Sequence, residues 1–179
     1  MLILGLIGEK LGGKDTVAEF LVAKHGATHI RHSHILDEIL QILNIPISRR
    51  NEIDLGMALR QAFGDGILSR ALARRVQSIQ NDMVIINGIR FPEELDNARS
   101  LGAKIIYVTA PSGARYARFL KRQEKTDDAS QSLEEFTNQE QEPTEINIPS
   151  LGSQADYKLE NTGTLEDLYK KVDELIHRL

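Results

Sequence analysis

Six residues near the start of the chain, Leu2–Ile7, carry no polar side chain and run straight into Gly8-Glu9-Lys10-Leu11-Gly12-Gly13-Lys14-Asp15-Thr16. A short apolar run ending at a glycine reads as a buried strand of a parallel sheet. Beyond it Val17, Phe20, Leu21 and Ala23 fall at helical spacing, and Gly26 stops the helix. Gly-x-x-x-x-Gly-Lys between a strand and a helix is the arrangement of a phosphate loop. Gly8, Gly12 and Gly13 let backbone N–H groups turn inward around a phosphate. The helix N-terminus lends its positive dipole end, and Lys14 reaches the outer phosphates as a point charge. The bland alternative is a glycine-rich turn, but the strand before and the helix after support a site for a nucleoside triphosphate with magnesium.

The rest of the chain continues the alternation. Strand-like runs are Thr28–Arg31, Met83–Ile86, Lys104–Val108 and Ala155–Leu159. Helical patterns cover Ile35–Leu43 with Ser33 as N-cap, Ile53–Ile79 broken at Gly64-Asp65-Gly66, Pro92–Ser100 and Gly113–Arg122. Thr164 with Asp167 resembles a capping box opening a last helix, whose Leu165, Leu168, Val172 and Ile176 share one face. Strands and helices in turn predict an α/β fold with a mostly parallel sheet covered on both faces. With 179 residues there is room for one such domain. The stretch from Gln123 to Gln154 breaks the rhythm: it is polar and acidic, and a long insert of this kind suggests a lid or functional loop.

The net charge of −4 argues against a nucleic-acid partner held by a broad basic surface. The N-terminal apolar run is too short for a membrane span or a signal peptide, so neither a membrane partner nor secretion is expected. With no cysteine, thiolate and disulfide chemistry are excluded, and a cytoplasmic setting is expected.

The metal position is unusual. A hydroxyl residue would normally follow the lysine, and an acid would close the Met83–Ile86 strand. Here Asp15 and then Thr16 follow Lys14, and Asn87 follows the strand. Magnesium takes hard oxygen ligands. The pair can therefore be inverted, with Asp15 supplying the charge and Asn87 a neutral oxygen or water contact. The other possibility is a weakened metal site.

Gly13-Lys14-Asp15-Thr16 is similar to the loop of deoxynucleoside monophosphate kinases, and Gly88-Ile89-Arg90-Phe91-Pro92-Glu93-Glu94 resembles the segment after their third strand. Pro111 to Arg122, Asp127-Asp128, Ala155-Asp156-Tyr157 and Asn161-Thr162-Gly163-Thr164-Leu165 look closer to dephospho-CoA kinases and archaeal adenylate-kinase-related proteins. The resemblance to this P-loop nucleotide-kinase group spans nearly the whole chain. It implies a three-layer α/β/α sandwich on five parallel strands, an acceptor-binding region at about 32–78 and a lid at about 123–150. It further implies an ATP- and Mg2+-dependent phosphotransferase whose partner is a small nucleotide-like acceptor.

Phosphoryl transfer depends on positioned positive charge. Arg115, Arg118 and Arg122 share a helix face, as a cleft lining or as a solvated basic face. By resemblance Arg118 and Arg122 contact phosphates, and Arg118 with Asn161 lies near the base. Asn161 is equally what a strand-to-helix turn wants. Arg90, just past a central strand, is placed on the acceptor or γ-phosphate. Arg60 resembles an acceptor-binding arginine, and is otherwise an exposed helix residue. His34 stands where dephospho-CoA kinases carry an aspartate base; it serves as a base or as a structural histidine. A phosphate-monoester acceptor needs no such base, which favours a nucleoside monophosphate over dephospho-CoA. A rival of another class is a nucleotide-binding or slow ATPase switch.

Overall fold

The computed structural model describes residues 1–122 and 132–179, Arg122 by its backbone alone. Strand β1 (Leu2–Ile7) lies at the centre of a five-stranded sheet in the order β2-β3-β1-β4-β5. Its companions are β2 (Thr28–Arg31), β3 (Met83–Asn87), β4 (Lys104–Thr109) and β5 (Tyr157–Glu160). Every pairing is parallel.

Side-chain alternation along these strands makes two cores. On one face Leu4, Leu6, Ile85, Ile106 and Val108 meet Val17, Ala18 and Leu21 of α1 (Lys14–His25). The same face takes Leu168, Val172 and Leu175 of α9 (Leu165–Ile176). On the other, Ile3, Ile7, Val84, Ile86 and Ile105 meet three helices, α4 (Ile67–Ser78), α5 (Pro92–Ser100) and α8 (Ile148–Gly152). Each fully buried aliphatic side chain contributes about 1.5–3 kcal/mol, so the two faces together secure the sandwich. The expected three-layer architecture is what forms.

The chain leaves β1 for the outer strand β2, returns to β3 beside β1, and then crosses to β4 on the other side. The crevice at the carboxyl ends of strands where such a reversal occurs is where open α/β sheets bind ligands. Gly8, Arg31, Asn87, Thr109 and Asn161 all stand at that edge.

Some expectations need correction. Helix α2 (His32–Ile42) starts one residue before Ser33, with Arg31 as its N-cap and no side-chain cap. The break at Gly64-Asp65-Gly66 separates α3 (Arg49–Phe63) from α4 as expected, but α3 begins earlier because the Ser48 hydroxyl accepts from Asn51 N–H. The capping box at Thr164 and Asp167 is present, yet Leu165 is 55% exposed and Leu175 takes the core position. Within the polar insert, residues 132–152 fold as α7 (Leu133–Asn138), a 3-10 turn (Gln139–Gln141) and α8. Three apolar side chains, Phe136, Ile148 and Leu151, anchor them by burial; they show no period, so the sequence pattern hides them. The remainder of the expected lid, residues 123–131, lies outside the described residues. Among the described residues no helix is long and apolar enough to cross a membrane.

Candidate active site

The phosphate loop is wrapped from outside. Gly8 lies so close to β4 that a Cβ would stand 2.3 Å from the Val108 carbonyl oxygen. Gly13 takes φ 113°, and a Cβ there would meet the Asn161 side chain; only glycine fits both counts. Asn161 is 8% exposed, and its Nδ2 donates to Gly12 O at 3.0 Å while its backbone N–H is spent on Thr109. Leu11 is also left-handed, at φ 61°. Its carbonyl accepts from Arg118 Nη1 at 3.0 Å, and Arg118 Nη2 reaches Asn161 O at 2.7 Å. Arg118 and Asn161 therefore hold the loop from behind; the guanidinium expected on phosphates is committed to backbone carbonyls. Arg115, buried, donates from Nε to Ala110 O and pairs with Glu140. Arg122 lies in α6 (Ser112–Arg122), but its side chain falls outside the described residues.

At the loop's open end Lys14 is 8% exposed. Burial lowers its pKa, with the Asp15 and Glu145 carboxylates opposing and the Arg90 and Arg31 guanidiniums adding to the effect. Asp15 stands against the lysine, its Oδ2 3.8 Å from the ammonium nitrogen. Thr16 is half-buried in the first turn of α1. On the opposite wall Tyr107 donates a short hydrogen bond to Glu9, and burial with that carboxylate pushes the phenol up to about 12.

Asp15 and Asn87 do come together: Asn87 Nδ2 donates to Asp15 Oδ1 at 2.8 Å. The same amide nitrogen lies 3.1 Å from His29 Nε2. Arg31, the last residue of β2 and the register partner of Asn87, puts Nη2 at 3.1 Å from that Asp15 oxygen. Burial would raise the Asp15 carboxyl, but Lys14, Asn87 and Arg31 outweigh it and hold it below its usual range. Burial, then Arg31 and His34, take His29 down to about 4, so it is neutral near pH 7. The inverted metal pair is modified accordingly: the amide nitrogen of Asn87, not its oxygen, faces Asp15. A magnesium ion would still find oxygen here. Asp15 Oδ2 is on a 46% exposed side chain, and Asn87 Oδ1 is buried with no hydrogen-bond partner among the described residues. An ion that keeps most of its waters needs little more.

Arg90 is positioned by its neighbours. Gly88, at φ 84°, and Ile89 both donate to Leu6 O, and Ile89 is fully buried. The Arg90 N–H donates to Glu94 Oε2 at 2.9 Å. Its guanidinium pairs closely with Glu145 of the insert, and Arg49 Nη2 stands 3.6 Å from the same carboxylate oxygen. Arg60, expected on an acceptor, instead pairs with buried Glu94 at 3.2 Å and lies over the Phe91 ring at 4.6 Å. His32 is buried beside Glu94 as well, at 3.8 Å. His34 is half-buried at the start of α2, its ring 6.0 Å from that of His29, and burial lowers its pKa.

The site contains residues that sequence reasoning missed: Arg31, His29, Arg49, Glu94 and Glu145. A charged residue ending a strand at the carboxyl edge was a usable signal for Arg31. Glu145 and Arg49 carried none, since their pairing depends on the path of the insert.

No protein-family model matches the chain. Over its whole length it is 26% identical to a UPF0200 protein of Saccharolobus islandicus, of which it covers 93%. It is 28% identical to a UPF0200 protein of Sulfurisphaera tokodaii, covering 99% of this chain and 97% of the other. Among solved structures, a Thermus thermophilus protein is similar with TM-score 0.64 and 21% identity, covering 99% of this chain and 97% of that one. A shikimate kinase from Bacteroides thetaiotaomicron gives 0.64 at 15% identity over 98% of each chain. A gluconokinase from Sinorhizobium meliloti gives 0.58 at 14% identity, over 99% of this chain and 91% of that one. At these identities the likeness speaks for fold, and it agrees with the glycine-rich loop and the strand order: the chain has the five-stranded α/β fold shared by P-loop kinases.

Proposed function

We propose that the protein is an ATP-dependent phosphotransferase that moves the γ-phosphate to a small nucleotide-like acceptor, with a nucleoside monophosphate as first choice. The observation that carries this reading is a buried lysine at the head of a glycine loop, with Asp15 3.8 Å from its ammonium and Arg31 and Asn87 both gathered on that aspartate. A plain glycine turn has no use for a lysine buried this deeply, because burial works against its charge.

In this reading the loop N–H groups and the α1 N-terminus bind the β-phosphate, and Lys14 spans the β- and γ-oxygens. Arg31 faces the charge spread over the transferring group, which is the main demand of this chemistry, and Arg90 faces the acceptor. Arg118 and Asn161 contribute indirectly, by fixing Leu11, Gly12 and Gly13. Magnesium, held through Asp15 and Asn87 mostly by way of water, would neutralise phosphate charge. His34 stands near enough to the β2 edge to assist a hydroxyl acceptor, whereas a monophosphate oxygen is already ionised and needs no base. A soluble cytoplasmic setting without nucleic-acid or membrane partners fits a small-molecule enzyme of this kind.

The dephospho-CoA kinase alternative shares every element above and differs only in acceptor. A slow switch-type ATPase is favoured by one specific observation: Arg90 is engaged by Glu145 and Asp15 by Arg31 before any substrate arrives. The two classes separate in a turnover screen with MgATP against nucleoside and deoxynucleoside monophosphates and dephospho-CoA. A kinase shows acceptor-dependent ADP release and an acceptor heavier by one phosphate in mass spectrometry. ATP consumption indifferent to every acceptor would overturn the proposal in favour of the switch.

A further inference from the structure

Glu145 is an acidic residue set between two arginines, Arg90 and Arg49. Its Oε1 accepts from Arg90 Nη1, lies 3.6 Å from Arg49 Nη2, and is 3.4 Å from Thr144 Oγ1, which itself accepts from Arg49 at 3.2 Å. The Glu145 side chain is only 13% exposed, and its charge reaches Lys14. The loop that carries it is tied down by α8, whose Ile148 and Leu151 are buried in the sheet core. Glu52, the other carboxyl near these arginines, is pushed up by burial and by its hydrogen bond with Asp37, so it is the weaker counter-charge.

We propose that Arg49 and Arg90 form the binding site for the anionic group of the acceptor, and that Glu145 is its built-in occupant, which an incoming phosphate monoester or carboxylate displaces. The proposal rests on the kinase reading of the cleft and deepens it by naming the acceptor class. Two guanidiniums converge on one carboxylate oxygen, and the Arg49 side chain is 52% exposed. The Arg49 fork is thus open to a better ligand. A phosphate offers three oxygens to a pair of planar forks, where Glu145 engages them through one. Arg90 lies three residues past Asn87, whose amide contacts Asp15 next to Lys14, so an acceptor anion seated there would lie toward the γ-phosphate. Glu145 sets a threshold: a neutral polyol gains nothing by displacing it, whereas an anion of higher charge does. The turn carrying Glu145 would then shift as a consequence of acceptor binding, because its carboxylate has lost both arginines.

The test is a calorimetric titration of inorganic phosphate, and separately of acetate, into protein saturated with a non-hydrolysable ATP analogue, so that the phosphate loop is filled. The comparison is wild type against Glu145→Gln, which keeps shape and removes charge. The variant should bind phosphate at least about tenfold more tightly, since a like charge no longer competes for the arginines. Adding Arg49→Ala and Arg90→Ala to it should abolish that binding. A larger gain for phosphate than for acetate assigns the site to a phosphate monoester, and the reverse assigns it to a carboxylate. Equal phosphate affinity in wild type and Glu145→Gln, absence of binding in both, or binding that survives loss of both arginines would overturn the proposal while leaving the kinase reading standing. Failure of the analogue itself to bind would bring down both.

Discussion

On the phosphate-loop side of the cleft, polar side chains are spent on backbone: Asn161 on Gly12, Arg118 on Leu11 and on Asn161 itself. On the facing side, charged side chains are spent on one another: Arg90 and Arg49 with Glu145, Arg60 with Glu94, Arg31 with Asp15. The first arrangement fixes the loop through its carbonyls, so no charged partner has to leave before a phosphate enters. The second holds its cations in place by counter-ions from the same chain, some of which a substrate has to replace. A preformed loop gives affinity for the part common to all triphosphates. An exchangeable set of ion pairs gives selectivity, because only a ligand that replaces the internal partner gains from binding.

Within the charged side the pairs are unequal, and Glu94 is the one that should not exchange. It is 3% exposed, holds Arg60, and takes the Arg90 N–H. Glu94→Ala should lower the unfolding free energy in urea by about 3–5 kcal/mol, the usual cost of leaving a buried charge unpartnered. A loss comparable to that of a surface ion pair would show that this side has no fixed frame. On the loop side, Asn161→Ala leaves the Gly12 carbonyl without its donor and should cost about 1–3 kcal/mol of stability. ATP affinity should fall with it, because Gly13 loses the wall behind it. Unchanged ATP affinity in calorimetry would break the distinction between the two sides.

Arg31 sits between them. Arg31→Ala removes the cation that shares Asp15 Oδ1 with the Asn87 amide, so the gain in ATP affinity on adding Mg2+ should grow several-fold over wild type, as expected when a competing cation is removed. Titrations in chelator and in magnesium check this; an unchanged ratio would mean that Arg31 does not compete with the metal. The smallest effect concerns His29. Its folded-state pKa of about 4 lies below the ordinary 6.5, so the unfolded chain takes up the proton first. Stability is fully present above pH 6.5 and declines as pH falls toward 4. His29→Gln should make the melting temperature fall less steeply across that window, and an identical slope would place the acid sensitivity elsewhere.

These effects bear on what was legible from residues alone. Strand β1, helix α5 and the capping box at Thr164 are local: an apolar run, a proline at a helix start and a hydroxyl three residues before an acid each act within a few residues. The loop motif is local too, which is why Lys14 and the glycines stand where the spacing puts them. Arg118 was expected at the ligand from its helix face and by resemblance, but a face does not say which acceptors lie opposite. Here they are the carbonyls of Leu11, 107 positions away in sequence, and of Asn161. Arg60 missed for the same reason, its partner Glu94 lying on another helix. The insert hid its structure because three buried apolar residues without a period outweigh a polar composition.

The claim beneath all of this is that the Lys14 cradle binds a triphosphate. It is tested most directly by calorimetric titration of ATP with magnesium into wild type and Lys14→Ala, alongside thermal melting of both. The expected result is a loss of about 2–4 kcal/mol of binding free energy in the variant, the scale of charge-assisted phosphate contacts, with the fold retained. Equal affinity in the two proteins, both folded, would contradict the account at its root.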